Sequence, residues 1–237
     1  MKIHQLIPTL GAAALTIASS QAAITYVDAV EGTGGNTRAT GSTQADASWR
    51  VDNTSPDAGT QYATQWSERP YGNTSIFQAL PTTNGTPTGI PELTTTISLA
   101  DGIYDLYVFY WDQTVSDTQN WVISTGLTSG ALTTYSSPGN PAVTGATTTG
   151  VVDASTLTYA GTAPITDEGG VRELFAVKFE NVTVTGGSAD IFVDYNLSHT
   201  GNNRAWYDGV GYEVVPEPSS TALLGLGGLA LILRRRR

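Results

Sequence analysis

Apolar and polar residues alternate along most of the chain in short runs, and Gly, Pro, Asn and Asp separate those runs. Alternation places apolar side chains on one face of an extended strand, and turn residues end it. No segment between residues 24 and 215 has the apolar spacing of an amphipathic helix. The pattern therefore predicts an all-β sandwich or barrel. The predicted strands are Ile24–Val30, Gln61–Trp66, Ser75–Leu80, Leu93–Leu99, Ile103–Trp111, Trp121–Thr125, Ala131–Tyr135, Leu157–Ala160, Leu174–Phe179, Val182–Thr185, Ala189–Asn196 and Ala205–Val214.

Two of these segments also predict a particular position or irregularity in the sheet. In residues 103–111, every position except Asp105 is apolar or aromatic, so we expect a central strand whose second face lies beneath loops or a ligand. In residues 174–186 the apolar positions change parity near Glu180-Asn181, which predicts a β-bulge or a corner there. Residues 136–156 are weakly patterned and predict a long surface loop.

The N-terminus has the layout of a secretory signal peptide. Lys2 gives a positive start, residues 6–18 are mostly apolar, and Ser20 and Ala22 provide small residues before a cleavage point. We expect residues 1–22 to form a signal helix that is removed on export.

The C-terminus, residues 214–237, combines three features in order. They are Pro216-Glu217-Pro218, a short Gly-rich apolar segment from Ser219 to Leu233, and four consecutive arginines. Proline cannot continue a helix, so the tripeptide should be extended and accessible. As a helix, the apolar segment would span about 22 Å, which is short for a hydrocarbon core of about 30 Å. The positive-inside rule would keep the arginines on the cytoplasmic side.

This arrangement resembles the PEP-CTERM sorting signal. The resemblance implies a Gram-negative-type bacterium in which an exosortase is the partner. It also implies transient insertion of the C-terminal helix into the inner membrane, followed by delivery to the cell surface or the extracellular matrix. We therefore expect a signal peptide over 1–22, a β-sandwich domain over 23–213 and a sorting signal over 214–237.

Charge and composition exclude several functions. Six basic and twenty acidic residues lie between residues 23 and 215, a net charge of −14. Such a chain lacks the basic surface that nucleic acids and anionic membranes attract. The absence of Cys excludes disulfides, thiol catalysis and cysteine-based zinc sites.

Several segments of the central domain resemble the jelly-roll modules of the galactose-binding-like superfamily, which includes many carbohydrate-binding modules. They are GIYDLYVFYW at 102–111, the F-x-N-V-T-V-T-G-G run at 179–187, IFVDYN at 191–196 and AWYDGVGYEVV at 205–215. The resemblance implies a two-sheet antiparallel jelly roll. It also implies a structural calcium ion joining the first strand region to the last, with Asp28, Glu31 and Asp208 as its ligands.

Aromatic residues beside polar groups are typical of carbohydrate sites, because their apolar faces stack on sugar rings. Trp206 follows the polar run that ends in Arg204, Trp66 lies five residues before Tyr71, and Trp121 follows a polar loop. We therefore take Trp66, Tyr71, Trp121, Arg204 and Trp206 as candidate ligand-binding residues. The alternative is that these tryptophans belong to the core.

Catalytic chemistry is not indicated. No G-x-S-x-G elbow is present, and His199 is the one histidine outside the predicted signal peptide. Glycoside hydrolysis needs two carboxylates facing each other across a cleft. Pairs such as Asp112 with Asp117, or Glu168 with Glu173, cannot be selected by spacing alone. We therefore expect an exported, non-catalytic protein that binds carbohydrate such as exopolysaccharide or has a structural role. The alternatives are a polysaccharide-active hydrolase and a coat protein without a small ligand.

Overall fold

The structure is a computed structural model that describes residues 23–43, 50–52, 66–69, 76–79, 90–113, 121–139, 145–195 and 204–216. These residues form fourteen strands and one turn of 3-10 helix at Ala154–Thr156. The strands are β1 (Thr25–Asp28), β2 (Thr37–Ala39), β3 (Arg50–Asp52), β4 (Trp66–Arg69), β5 (Ile76–Ala79), β6 (Leu93–Ser98), β7 (Gly102–Gln113), β8 (Ile123–Gly126), β9 (Thr133–Tyr135), β10 (Val151–Asp153), β11 (Asp167–Glu168), β12 (Arg172–Val184), β13 (Ser188–Asp194) and β14 (Ala205–Val214).

The strands form two sheets that pack as a sandwich, as the sequence predicted. The larger sheet has the order β10-β12-β7-β14-β5-β4-β3, with β1 paired to β14 and β11 paired to β12. The smaller sheet has the order β2-β6-β13-β8-β9. All pairs are antiparallel except β3 with β4. Consecutive strands cross between the sheets, from β6 to β7 to β8 and from β12 to β13 to β14, as in a jelly roll.

Strand β7 lies at the centre of the larger sheet, between β12 and β14, and both of its faces are covered. Leu106, Val108 and Tyr110 point into the core between the sheets. Tyr107, Phe109 and Trp111 belong to a second hydrophobic cluster on the opposite face, which we call the outer face. The prediction of a central strand with cover on both sides is confirmed.

The chain itself covers the outer face. Ile24 bridges to Tyr159, and the backbone N–H of Ile24 donates to the carbonyl of Thr158 at 2.9 Å. Ile24, Ala154 and Trp121 also belong to the second cluster. These segments lie over β7 where it would otherwise expose aromatic rings, so burial of those rings holds them in place.

The predicted irregularity near Glu180-Asn181 is confirmed as a β-bulge. The register of β12 against β7 shifts between Phe179 and Val182, and Asn181 has a φ of 56°. The backbone N–H of Asn181 donates to the Asp105 carboxylate at 2.8 Å. Asn tolerates the left-handed region better than most residues, so the bulge suits the residue that occupies it.

A second bulge in β14 was not predicted. The register of β14 against β7 shifts between Tyr207 and Gly209, which places Asp208 at the bulge. The next two residues on the outer face are glycines. A Cβ on Gly211 would lie 2.9 Å from both Ile24 and Phe109, so only glycine allows β1 and its neighbours to approach this closely.

Some predictions about local structure were wrong. Leu157–Ala160 is not a strand, because only Tyr159 forms a bridge there. The predicted loop at 136–156 is not all loop, because its described part contains β10. The VVD run of β10 is too short to show the alternation of a typical strand. The predicted N-terminal and C-terminal helices lie outside the described residues. Within the described ranges, no helix has the length and apolarity needed to cross a membrane.

The bulge at Asn181 gives a test of this backbone geometry. A β-branched residue at positive φ is strained, so Asn181→Val should lower the free energy of unfolding by about 1–3 kcal/mol. Asn181→Gly should leave it nearly unchanged, because glycine adopts this φ freely. Urea unfolding of both variants measures the difference, and equal stability of the two would contradict the positive φ.

Candidate functional site

The structure separates the predicted ligand-binding residues into two places. Trp66 lies in the core between the sheets, and its indole N–H donates to the Pro91 carbonyl at 2.8 Å. Tyr71 lies outside the described residues. Trp121, Arg204 and Trp206 come together at one end of the outer face, where β14 begins.

Pairing of the backbone explains this convergence. Trp206 lies on the outer face of β14, and the N–H of Val122 donates to the carbonyl of Arg204 at 2.9 Å. This hydrogen bond holds the segment before β8 beside the start of β14. As a result the rings of Trp121 and Trp206 lie 4.3 Å apart between centroids, at an interplanar angle of 39°.

Two guanidinium groups lie over this tryptophan pair. The Arg172 guanidinium carbon lies 5.0 Å from the ring centroid of Trp206 and 5.7 Å from that of Trp121. The Arg204 guanidinium carbon lies 5.8 Å from the Trp121 centroid. At these distances each cation is attracted to the negative face of the indole. We call these four residues the Trp–Arg cluster.

Sequence reasoning missed Arg172, which lies about thirty residues before the other arginine of the cluster. It begins β12, and no aromatic residue lies beside it in sequence to mark it. Only the pairing of β12 with β7 in the larger sheet brings it near the tryptophans.

Burial changes what the cluster can do. Trp206 is 0% exposed and Trp121 is 1% exposed, whereas both arginines are half-buried. The indole faces are therefore not open platforms for a sugar ring. The Nε atoms of both arginines are buried as well.

The structure brings together two of the three predicted metal ligands. The Tyr26 hydroxyl lies 3.2 Å from Oδ1 of Asp28 and 3.0 Å from Oδ2 of Asp208. Asp28 ends β1, Asp208 is the bulge residue of β14, and the two strands pair side by side. Glu31 lies beyond the end of β1. The bulge is the local feature that turns Asp208 toward Tyr26.

Burial dominates the electrostatics of this pair. It raises the pKa of Asp208 to about 7; Asp28 adds to the increase, and the nearby Tyr26 and Trp111 side chains lower it. Burial likewise raises the pKa of Asp28 to about 6. Burial and both carboxylates raise the pKa of Tyr26, which therefore remains a phenol with one proton to donate. One hydroxyl proton cannot serve two carboxylates, so the second contact favours a protonated carboxyl group.

The described residues offer few ligands for a calcium ion. Calcium takes six to eight oxygen atoms. The described ranges contain no group of three or more His, Asp or Glu side chains arranged to hold a metal. The Asp28–Asp208 pair alone does not complete such a site, and calcium binding stays a prediction.

A second polar cluster lies at the opposite end of the outer face. Lys178 Nζ lies 2.7 Å from the Asp105 carboxylate and 3.7 Å from that of Glu213. The Tyr107 hydroxyl donates to Glu213 at 2.6 Å. Since Lys178 occupies the space between the two carboxylates, they do not form an open acid–base pair.

The structure describes three of the four carboxylates in the pairs suggested by spacing, and those pairs stay untested. Asp112 is buried and accepts hydrogen bonds from the backbone N–H groups of Gln113 and Ser137. Asp117 and His199 lie outside the described residues. Glu168 and Glu173 lie on the neighbouring strands β11 and β12.

The last strand leads directly into the C-terminal motif. The Val215 N–H donates to the Ile103 carbonyl at 3.0 Å, and Pro216 is exposed. A model of the PEP-CTERM protein-sorting motif matches residues 214–237. The chain carries an exosortase sorting signal. This signal implies an exported protein that is sorted at the membrane toward the cell surface.

The other comparisons gave no match, neither among curated proteins nor among solved structures. The resemblance of the sandwich to galactose-binding-like modules therefore finds no support in them.

The buried acid pair predicts a pH dependence of stability. The pKa of Asp208 is about 7 in the folded chain and near 3.8 when unfolded, so the folded state holds a proton that the unfolded chain has released. Its contribution to stability is fully present below about pH 4 and is lost as the pH rises toward 7. Asp208→Asn should therefore unfold at a higher urea concentration than wild type at pH 8 and approach it near pH 4.

Urea midpoints at four values between pH 4 and pH 8 measure this difference. Asp190→Asn, at an exposed position, is the control and should follow the wild-type profile. A constant difference between Asp208→Asn and wild type across this range would rule out titration of the buried pair.

Proposed function

We propose that this chain is a non-catalytic component of the bacterial cell surface or extracellular polymer matrix, where its sandwich binds carbohydrate. The sorting signal carries the proposal, because it implies that the folded domain works outside the cell. In this proposal the C-terminal segment enters the inner membrane transiently, and an exosortase then releases the sandwich.

The arrangement of acids supports a non-catalytic role. A glycosidase needs two carboxyl groups with room between them for a sugar and, in inverting enzymes, a water molecule. Tyr26 lies between Asp28 and Asp208, and Lys178 lies between Asp105 and Glu213. Each of these two pairs of carboxylates is therefore bridged by another side chain.

The Trp–Arg cluster supports carbohydrate binding. Three of the five residues expected to bind a ligand from their sequence context converge there, and a fourth residue, the cationic Arg172, joins them. Sugar recognition needs several polar groups fixed in orientation, and the attraction of both guanidinium groups to buried rings favours a fixed orientation.

A purely structural coat protein is the second candidate. The observation that favours it is the burial of Trp66, Trp111, Trp121 and Trp206, none of which presents an open ring face. A polysaccharide-active hydrolase is a weaker alternative, because Tyr26 and Lys178 lie between the carboxylates of the two pairs described above.

Sorting can be tested in a bacterium that has an exosortase. Changing Pro216, Glu217 and Pro218 to alanine should remove the recognition tripeptide, so that unprocessed chain accumulates in the inner membrane. Pro138→Ala, at an exposed turn of the sandwich, is the matched control and should be exported normally. Fractionation with an antibody to the sandwich measures both. Normal release of the triple variant would refute the role of the motif.

Carbohydrate binding can be tested with the processed protein and the exopolysaccharide of the producing bacterium. We expect retention on the immobilised polymer without release of reducing sugar. Repeating the measurement with calcium and with EDTA tests the proposed structural calcium, because its removal should reduce retention. Release of reducing sugar would favour the hydrolase, and no retention in either condition would favour the coat protein.

A further inference from the structure

Beyond carbohydrate binding, we propose that β1 is a pH-sensitive strap, which is held against β14 more tightly in acid than at neutral pH. Ionisation of the Asp208 side chain is the event that weakens its hold. Release separates one short strand from the sandwich and leaves the two sheets otherwise folded, so it is distinct from global unfolding.

Strand β1 is short and lies at an edge. Its four residues, Thr25–Asp28, are half-buried, and among the described strands it pairs with β14. Just before the strand, Ile24 exchanges two backbone hydrogen bonds with residues 158–160, and just after it the N–H of Ala29 donates to the carbonyl of Asp208 at 3.1 Å. A short edge segment of this kind can open locally while the rest of a domain stays folded.

Asp208 lies where β1 meets the bulge of β14. Its side chain is 0% exposed, and the Tyr26 hydroxyl of β1 donates to its Oδ2 at 3.0 Å. The backbones are also close at this point, because a Cβ on Gly209 would lie 2.5 Å from the carbonyl oxygen of Val27. Strand β1 therefore contributes directly to the burial of Asp208, and its departure would admit water to the carboxyl group.

The docked arrangement stabilises an ionised Asp208 poorly. Its Oδ1 is buried and meets no hydrogen-bond donor in good geometry among the described residues, although the indole of Trp111 lies near. The one hydroxyl proton of Tyr26 also faces Asp28, at 3.2 Å. None of the ion pairs among the described residues includes Asp208. A buried carboxyl group with so few donors and no cation favours its protonated form.

The titratable groups around Asp208 do not reverse this preference. Burial is the largest cause of its raised pKa, the charge of Asp28 adds to it, and the hydrogen bonds from Tyr26 and Trp111 oppose it less strongly. Asp28 itself lies near the acidic Glu68 of β4 and has further contacts, so the strap is assigned to Asp208. The other titratable neighbours are phenols whose pKa burial raises, so they stay neutral: Tyr26, Tyr159 and Tyr207.

The sign of the pH dependence follows from the burial. In the docked state the pKa of Asp208 is about 7, and in the released state, where water reaches the carboxyl group, it returns toward the ordinary value of 3.8. Between these two values the docked state binds more protons than the released state. Raising the pH through this range therefore weakens docking by up to about tenfold per pH unit, and above pH 7 the weakening levels off.

Hydrogen exchange of the processed protein, resolved by NMR between pH 5 and pH 8, tests the strap. The probes are the N–H groups of Ile24 and Ala29, at the two ends of β1. After correction for the intrinsic exchange rate at each pH, their opening constant should rise at least about tenfold from pH 5 to pH 7.5. Low urea concentrations separate local release from global unfolding, because release of one strand exposes little surface and responds weakly to urea. The β6–β13 ladder supplies the amides that report global unfolding.

Asp208→Asn is the test variant, because it keeps the shape of the side chain and cannot ionise. Its opening constant at Ile24 and Ala29 should change less than about threefold across the same range. Asp190→Asn, at an exposed position of the smaller sheet, is the matched control and should keep the wild-type profile. If Asp208→Asn does not fold, the carbon-13 shift of the Asp208 carboxyl group in the wild type replaces it, with a midpoint expected near pH 7.

Three results would overturn the strap. The first is an opening constant at Ile24 and Ala29 that does not change with pH in the wild type. The second is the same tenfold rise in Asp208→Asn, or a carboxyl midpoint below pH 5 in the wild type. The third is exchange of these two amides together with the β6–β13 amides at every pH and urea concentration, which would show that β1 leaves only when the whole sandwich unfolds.

Discussion

The rest of the structure depends on the need to bury both faces of β7. Its inner face is covered by the smaller sheet, as in any sandwich. Its outer face carries Tyr107, Phe109 and Trp111, and no third sheet among the described elements covers them. Ile24 and the segment around Tyr159 cover these rings instead. That solution requires glycine at 211 and places β1 against β14.

The same constraint accounts for where the polar groups lie. Covering the middle of the outer face buries Asp208 beside Tyr26 and Trp111, in a bulge that β1 closes. The two ends of the face are left less covered, and charged residues occupy them. Lys178 lies at one end among carboxylates, and Arg172 and Arg204 lie at the other, beside Trp121 and Trp206. The two basic residues of β12, Arg172 and Lys178, therefore lie toward opposite ends of the outer face.

How much could be predicted from the sequence depended on the range of the interaction. The parity change in β12 is local, so the bulge at Asn181 could be read from a dozen residues. The central position of β7 followed from its composition alone. The second bulge, at Asp208, leaves no parity signal, because the residues on both sides of it are glycine or aromatic. Arg172 could not be assigned to the site, because its partners come from strands far away in sequence.

The sorting signal could be predicted because it is local in sequence, unlike the site at Arg172. Its three parts follow one another within residues 214–237 and need no tertiary contact to be recognised. The Asp28–Asp208 pair was foreseen only through resemblance to another fold family. The structure supports their proximity but explains it by a shared tyrosine, a feature that the resemblance did not include.

The sorting signal follows β14 closely, and in the proposed membrane-tethered state this short link would limit the orientation of the domain. Only Val215 to Pro218 separate the last strand from the apolar segment. This link spans at most about 18 Å, even when fully extended. If that segment were held in the bilayer, as proposed, Val214 at the end of β14 would lie within that distance of the membrane surface. Trp206 lies near the other end of the same strand, about 26 Å away along its axis. In that tethered state the end of the sandwich that carries Trp206 and Arg204 would lie farther from the membrane than the end that carries the sorting signal.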